Sequence, residues 1–75
     1  MTKHDLLGYL ADAGSADAMD LARMFGLSYP AAAMALLRAG RQGLVHRYVD
    51  ADHGLFFYEL SERGRARLTF FQQHH

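Results

Sequence analysis

The chain contains no cysteine. That removes disulfide staples, thiolate nucleophiles and cysteine-based zinc or iron–sulfur sites, and it suits a reducing compartment. Nowhere does an apolar run approach the roughly 18 residues of a membrane span. The N-terminal stretch Met1-Thr2-Lys3-His4-Asp5 lacks the apolar segment of a signal peptide. These absences predict a soluble, cytoplasmic protein with no membrane partner. There is also no linker, internal repeat or low-complexity segment, so residues 1–75 read as one small domain. A core of this size buries only about 60 to 65% of the unfolded chain's surface, and self-association would help it.

A surplus of basic charge is missing as well: eight Lys and Arg face eight Asp and Glu. The balance hides an asymmetry. Residues 1–37 hold Lys3 and Arg23 against Asp5, Asp12, Asp17 and Asp20, a net of −2. Residues 38–75 hold Arg38, Arg41, Arg47, Arg63, Arg65 and Arg67 against Asp50, Asp52, Glu59 and Glu62, a net of +2. A local basic face on a neutral molecule is therefore possible, and ordinary solvated arginines explain the charges equally well.

The apolar pattern gives four helices and a hairpin. From Lys3 to about Ala13, Leu6, Leu7 and Leu10 recur at helical spacing, and Gly14 is placed to end the helix. Asp17 can cap a second helix, about 18–25, by accepting from the N–H of residue 19 or 20, with Asp17 and Asp20 at the positive end of the helix dipole. Leu21, Ala22 and Phe25 form its apolar set, and Gly26 permits a tight reversal. Ser28 caps a third helix, about 29–42, in which Pro30 is tolerated because its missing N–H would have had no intrahelical partner. Gly43 opens a strand from Leu44 to Val49, and Asp50-Ala51-Asp52-His53-Gly54 supplies turn residues before a second strand, Leu55 to Leu60. Phe56, Tyr58 and Leu60 share one face of that strand and Leu55, Phe57 and Glu59 the other, and one face should be core. Ser61 caps a last helix, about 62–73, carrying Ala66, Leu68, Phe70 and Phe71, which can pack on the first helix or on a second subunit.

Three segments give this order a family resemblance. Leu27–Arg47, LSYPAAAMALLRAGRQGLVHR, runs through a turn, a helix and a Gly-Leu-Val strand opening. Asp20, Leu21, Ala22, Arg23, Met24, Phe25 and Gly26 match the second-helix pattern E-L-A-x-x-L-G, and Tyr58-Glu59-Leu60-Ser61-Glu62-Arg63-Gly64 matches the wing exit Y-x-L-T-x-x-G. Together they resemble the winged helix-turn-helix of MarR-like and other small bacterial or archaeal regulators. The resemblance implies an α+β, mainly helical fold: a three-helix core, a two-stranded wing at 44–60 and a C-terminal helix. It also implies a transcriptional regulator or accessory protein that binds double-stranded DNA, as a homodimer with half-sites about one helical turn apart. A small iron-uptake accessory winged-helix protein is similar in layout, but such proteins commonly carry a cysteine cluster in the wing, so no iron–sulfur role is carried over.

Aligned with that family, the third helix buries Ala32, Ala35, Leu36 and Ala39 and turns Pro30, Met34, Leu37, Arg38 and Arg41 outward. Base edges are read by hydrogen-bonding groups, whereas Ala31, Ala33 and Met34 offer only van der Waals contacts, leaving Ser28 and Tyr29 as the polar candidates near the helix start. Two readings stay open. In one, the helix lies in the major groove with weak discrimination, Arg38 and Arg41 pair with phosphates, and His46, Arg47 and His53 on the wing reach the backbone or minor groove. In the other, an apolar surface of Pro30, Met34 and Leu37, or of Phe70 and Phe71, binds a protein partner or a second copy.

Blander roles remain for several of these side chains. Arg47 can pair across the strands with Glu59 or an aspartate, Arg63, Arg65 and Arg67 suit a solvated helix face, and Tyr48 and Phe57 suit hairpin packing. Enzyme chemistry has little to stand on: His4, His46, His53, His74 and His75 lack the H-E-x-x-H spacing, and Ser15, Ser28 and Ser61 read as turn or cap residues. His46, Asp50, Asp52 and His53 cluster at a turn, where such residues are usually solvated turn formers. No catalytic residue, cofactor or metal is expected.

Overall fold

A computed structural model describes residues 1–52 and 54–73. Helices α1 (Lys3–Ala13), α2 (Ala18–Phe25) and α3 (Tyr29–Arg41) precede strands β1 (Val45–Asp50) and β2 (Leu55–Leu60) and helix α4 (Glu62–Gln73). The fold is a winged helix-turn-helix.

Each of the first three helices starts on a side-chain cap. Thr2 Oγ1 accepts from Asp5 N at 3.1 Å while an Asp5 carboxylate oxygen accepts from Thr2 N at 2.9 Å, a reciprocal capping box. The Thr2 backbone N–H, then its hydroxyl, hold the exposed Asp5 carboxyl below its ordinary range. Asp17 and Asp20 repeat the device on α2, at 2.7 and 3.1 Å. Ser28 Oγ accepts from Ala31 N at 3.2 Å, with Pro30 in the first turn of α3. Gly26 takes the left-handed conformation, φ 64° and ψ 36°, that reverses the chain between α2 and α3.

Leu6, Leu7 and Leu10 of α1, Leu21 of α2, Leu36 of α3 and Leu44, Val45, Leu60 and Leu68 beyond them form one buried cluster. Helix α2 packs on α3, α1 on α4 and β2, and α3 on β1. The strand opening lies one residue later than the sequence pattern suggests. Leu44 N donates to Ala39 O (2.9 Å) and Leu44 O accepts from Ser61 N (3.0 Å), so Leu44 closes α3 and braces α4 instead of joining the ladder. Ser61 completes this junction. Buried, it donates from Oγ to Gly43 O (2.6 Å) and accepts from Gly64 N (2.9 Å), capping α4 while tying it to the exit of α3.

Strands β1 and β2 pair antiparallel, with Val45 opposite Leu60, Arg47 opposite Tyr58 and Val49 opposite Phe56. Of the two faces of β2, the one that carries Leu60 reaches the core, and only at its base. Leu60 is buried, Tyr58 half-buried and Phe56 exposed, because the hairpin runs out past the helices. The sequence pattern also missed a third strand position: Ala16 and Tyr58 exchange backbone hydrogen bonds of 3.0 and 2.8 Å, attaching the α1–α2 connection to the free edge of β2. The outer half of β2 and the first turns of α3 line one groove.

Candidate nucleic-acid interface

Helix α3 turns its stripe of Ala32, Leu36 and Ala39 into the core. At 100° per residue the opposite stripe carries Pro30, Met34, Arg38 and Arg41, all exposed. Ala35 and Leu37 depart from expectation. Placed a helical step to either side of Leu36, they flank the buried stripe, and both are half-buried, Ala35 less buried and Leu37 less outward than the alignment implies. Ala33 is half-buried and Ala31 exposed.

The polar resources of the stripe are concentrated at its C-terminal end. Arg38 shares a shallow depression of about 140 Å³ with Lys3 and the N-terminal residues of α1, and Arg41 lies one turn further on. Nothing in the sequence pairs Lys3 with Arg38; the fold brings them to one depression. At the N-terminal end the aromatic Tyr29 is 55% exposed and Met34 42% exposed, while the acceptor lone pairs of Ser28 are engaged in capping. A guanidinium pair at one end and an apolar surface at the other can bind phosphate strongly but distinguish bases poorly.

On the wing, His46 and Arg47 are exposed. Arg47 does not pair with Glu59, whose cross-strand neighbour is His46. Strand alternation puts Arg47 on the face of Tyr58 and Phe56, and its guanidinium carbon stands 4.5 Å from the Phe56 ring centroid. The stem of the arginine is thereby aligned along the wing with its charge in solvent. Tyr48 and Phe57, paired across the strands, stack at 6.1 Å between centroids, as hairpin packing. His53, expected at the interface, lies outside the described residues, as do His74 and His75.

The two phenylalanines of α4 take different places. Phe71 is half-buried, its ring 5.5 Å from that of His4 on α1, whereas Phe70 is exposed beside it.

A groove of about 480 Å³ opens between the start of α2, the first turns of α3 and the outer half of β2, lined by Asp17, Met19, Asp20, Tyr29, Leu55 and Phe56 among others. Its acidic side chains, Asp17 and Asp20, are the capping pair of α2. Among the described residues no helix is long and apolar enough to cross a membrane.

No family model matches the chain, and no curated protein matches it. Solved structures do. A MepR mutant of S. aureus bound to an oligodeoxyribonucleotide is similar with a TM-score of 0.89 and 24% identity, covering 95% of this chain and 54% of that one. A MarR mutant of E. coli complexed with operator DNA gives 0.88 and 18%, covering 95% and 51%. A MepR-like protein complexed with pseudoligands gives 0.82 and 29%, covering 89% and 48%. The chain spans about half the length of these structures. It has a MarR-like winged-helix fold.

Proposed function

We propose that the chain is a DNA-binding module of a transcriptional regulator, acting in the cytoplasm and not as an enzyme. The outward stripe of α3 lies on duplex DNA, Arg38 and Arg41 pair with phosphates, and the wing directs Arg47 and His46 toward the backbone. The observation that carries this reading is the exposure of Arg38 and Arg41 on the one face of α3 that the core does not use. The DNA complexes of the MepR and MarR mutants support it by analogy of fold. Base discrimination on this account comes from van der Waals contacts of Ala31, Ala33 and Met34 and from the hydroxyls of Ser28 and Tyr29, and is weak. A symmetric pair of such modules would reach half-sites about one DNA turn apart, with exposed Phe70 a position at which two copies meet.

A second reading has its own observation, the exposure of Tyr29 and Met34 on that same helix. In it, α3 docks on protein through Pro30, Met34 and Leu37. Two sets of substitutions separate the readings. Arg38→Glu with Arg41→Glu lowers DNA affinity and flattens its salt dependence if DNA is the ligand. Met34→Glu with Leu37→Glu dissociates a protein complex if α3 is an interface. Duplex affinity that ignores the arginine changes removes their phosphate role.

A further inference from the structure

The wing has one edge partly covered and one edge open. Tyr58 exchanges both of its backbone hydrogen bonds with Ala16, so its N–H and C=O face away from β1, and its cross-strand neighbour Arg47 forms with it a pair that is not hydrogen-bonded. By the alternation of an antiparallel ladder, the N–H and C=O of Arg47, and of Val49 two residues on, point out of the sheet on the far side of β1. No strand lies there among the described residues. Toward the tip of the wing the outer edge of β2 offers only Phe56, so β1 is the longer free edge. Both faces of this outer hairpin hold apolar side chains in solvent. Tyr48 is 41% and Leu55 47% exposed on one face, Val49 56% and Phe56 50% on the other. Two strands alone are marginal, and an open apolar edge is a template for a further strand.

We propose that a second copy of the chain occupies this edge, β1 lying antiparallel to β1 about a two-fold axis at Tyr48, so that the two hairpins form one continuous sheet. The register follows from the residues, because an outward-pointing residue must lie opposite another one. An axis at Arg47 sets two guanidinium groups opposite each other, which is destabilising. An axis at His46 needs the edge of Val45, buried at the base of the wing, and an axis at Val49 sets Arg47 opposite Ala51, past the end of β1. An axis at Tyr48 sets Arg47 opposite Val49 of the second copy, and the reverse, with two reciprocal pairs of backbone hydrogen bonds.

The same axis matches the side chains. His46 falls opposite Asp50 of the second copy, an imidazole beside a carboxylate, one oxygen of which accepts from Asp52 N at 3.0 Å. Tyr48, already stacked on Phe57, meets Tyr48 of the second copy, so a row of aromatic rings crosses the sheet. On the other face the stem of Arg47, aligned by Phe56, covers the exposed Val49 of the second copy. The patch is self-complementary, as a two-fold interface requires. This association does not rest on the DNA reading: Arg38 and Arg41 lie outside it on α3, and of the wing residues assigned to DNA it takes up the side chain of His46 and only the backbone and stem of Arg47.

The test is sedimentation equilibrium and amide hydrogen exchange of the full chain, labelled with ¹⁵N, from micromolar to millimolar concentration without DNA. The expected result is a reversible dimer in which the amides of Arg47 and Val49 gain protection as it forms, while those of His46 and Tyr48, already bonded to β2, change little. Tyr48→Lys, at an exposed position, sets two ammonium groups opposite each other and raises the dissociation constant about fivefold or more. Val49→Pro deletes one outward N–H, spares the ladder to β2 and weakens the dimer as well; Tyr48→Lys decides the matter if proline unfolds the wing. Phe70→Glu, on α4, leaves the dimer intact, and so does Arg38→Glu with Arg41→Glu, which separates this proposal from the DNA reading. A chain that stays monomeric throughout overturns the proposal. So does a dimer whose Arg47 and Val49 amides stay unprotected, or one that Phe70→Glu dissociates and Tyr48→Lys does not.

Discussion

Gly64 of α4 lies against the carbonyl of Leu44 so closely that a Cβ on Gly64 would sit inside that oxygen, and only 3.1 Å from Leu60 Cδ2. The contact joins the first turn of α4 to the residue that ends α3, and it explains why the wing exit closes on glycine. The neighbour that would be displaced is backbone, already fixed by hydrogen bonds to Ala39 and Ser61, so the strain has nowhere to relax.

Gly64→Ala is therefore expected to destabilise the fold by about 1–3 kcal/mol, the usual cost of overpacking. Gly8→Ala is the contrasting substitution. Gly8 lies within α1 with open space where its Cβ would stand, so alanine there should stabilise by about 0.5–1 kcal/mol. Urea unfolding midpoints of the two variants should move in opposite directions; a Gly64→Ala midpoint equal to the parent's would refute the close approach.

Ser61→Ala removes a cap and a brace together. It strips the acceptor from Gly64 N–H and the donor from Gly43 O in a buried setting, and about 2 kcal/mol is expected to be lost. Because Ser61 and Gly64 share one junction, the double variant with Gly64→Ala should lose less than the two single losses combined, measured as a double-mutant cycle. Strict additivity would mean that the two contacts act separately.

Acid should loosen the start of α1. Asp5 has a folded-state pKa below its ordinary value because it accepts hydrogen bonds from Thr2. Its contribution is thus present above the unfolded-state pKa and is lost as pH falls through the folded-state value. Asp5→Asn keeps an acceptor for the Thr2 N–H but has no carboxyl to protonate, and should reduce this acid sensitivity. Amide hydrogen exchange at Leu6 and its neighbours, compared between neutral and acid pH in parent and variant, reads the difference. Equal acid sensitivity in both would place its origin outside the box.

Helix-forming pattern, capping residues and turn glycines made the four helices and the hairpin legible, since Asp17, Ser28, Gly14 and Gly26 act within a few residues of their own position. What escaped was set by contacts distant in sequence. Ala16 pairs with Tyr58 only because α1 and β2 pack together. Leu44 was assigned to the strand because a Leu-Val pair suits β structure, whereas its backbone is claimed by Ala39 and Ser61. Arg47 was weighed as a partner of Glu59, but the register puts the two on opposite faces. On α3 the helical phase came from family alignment, because apolar residues nearly surround it, and the exposed stripe follows that phase except at its flanks, Ala35 and Leu37.

The central claim concerns phosphate, and its most direct measurement is fluorescence anisotropy of the full chain titrated against mixed-sequence duplex DNA over a series of salt concentrations. With Arg38, Arg41 and Arg47 at phosphates, log affinity should fall against log salt with a slope of about −2.7, with little change between unrelated sequences. No binding at low salt, or binding indifferent to salt, would contradict the account and leave α3 as a surface for protein.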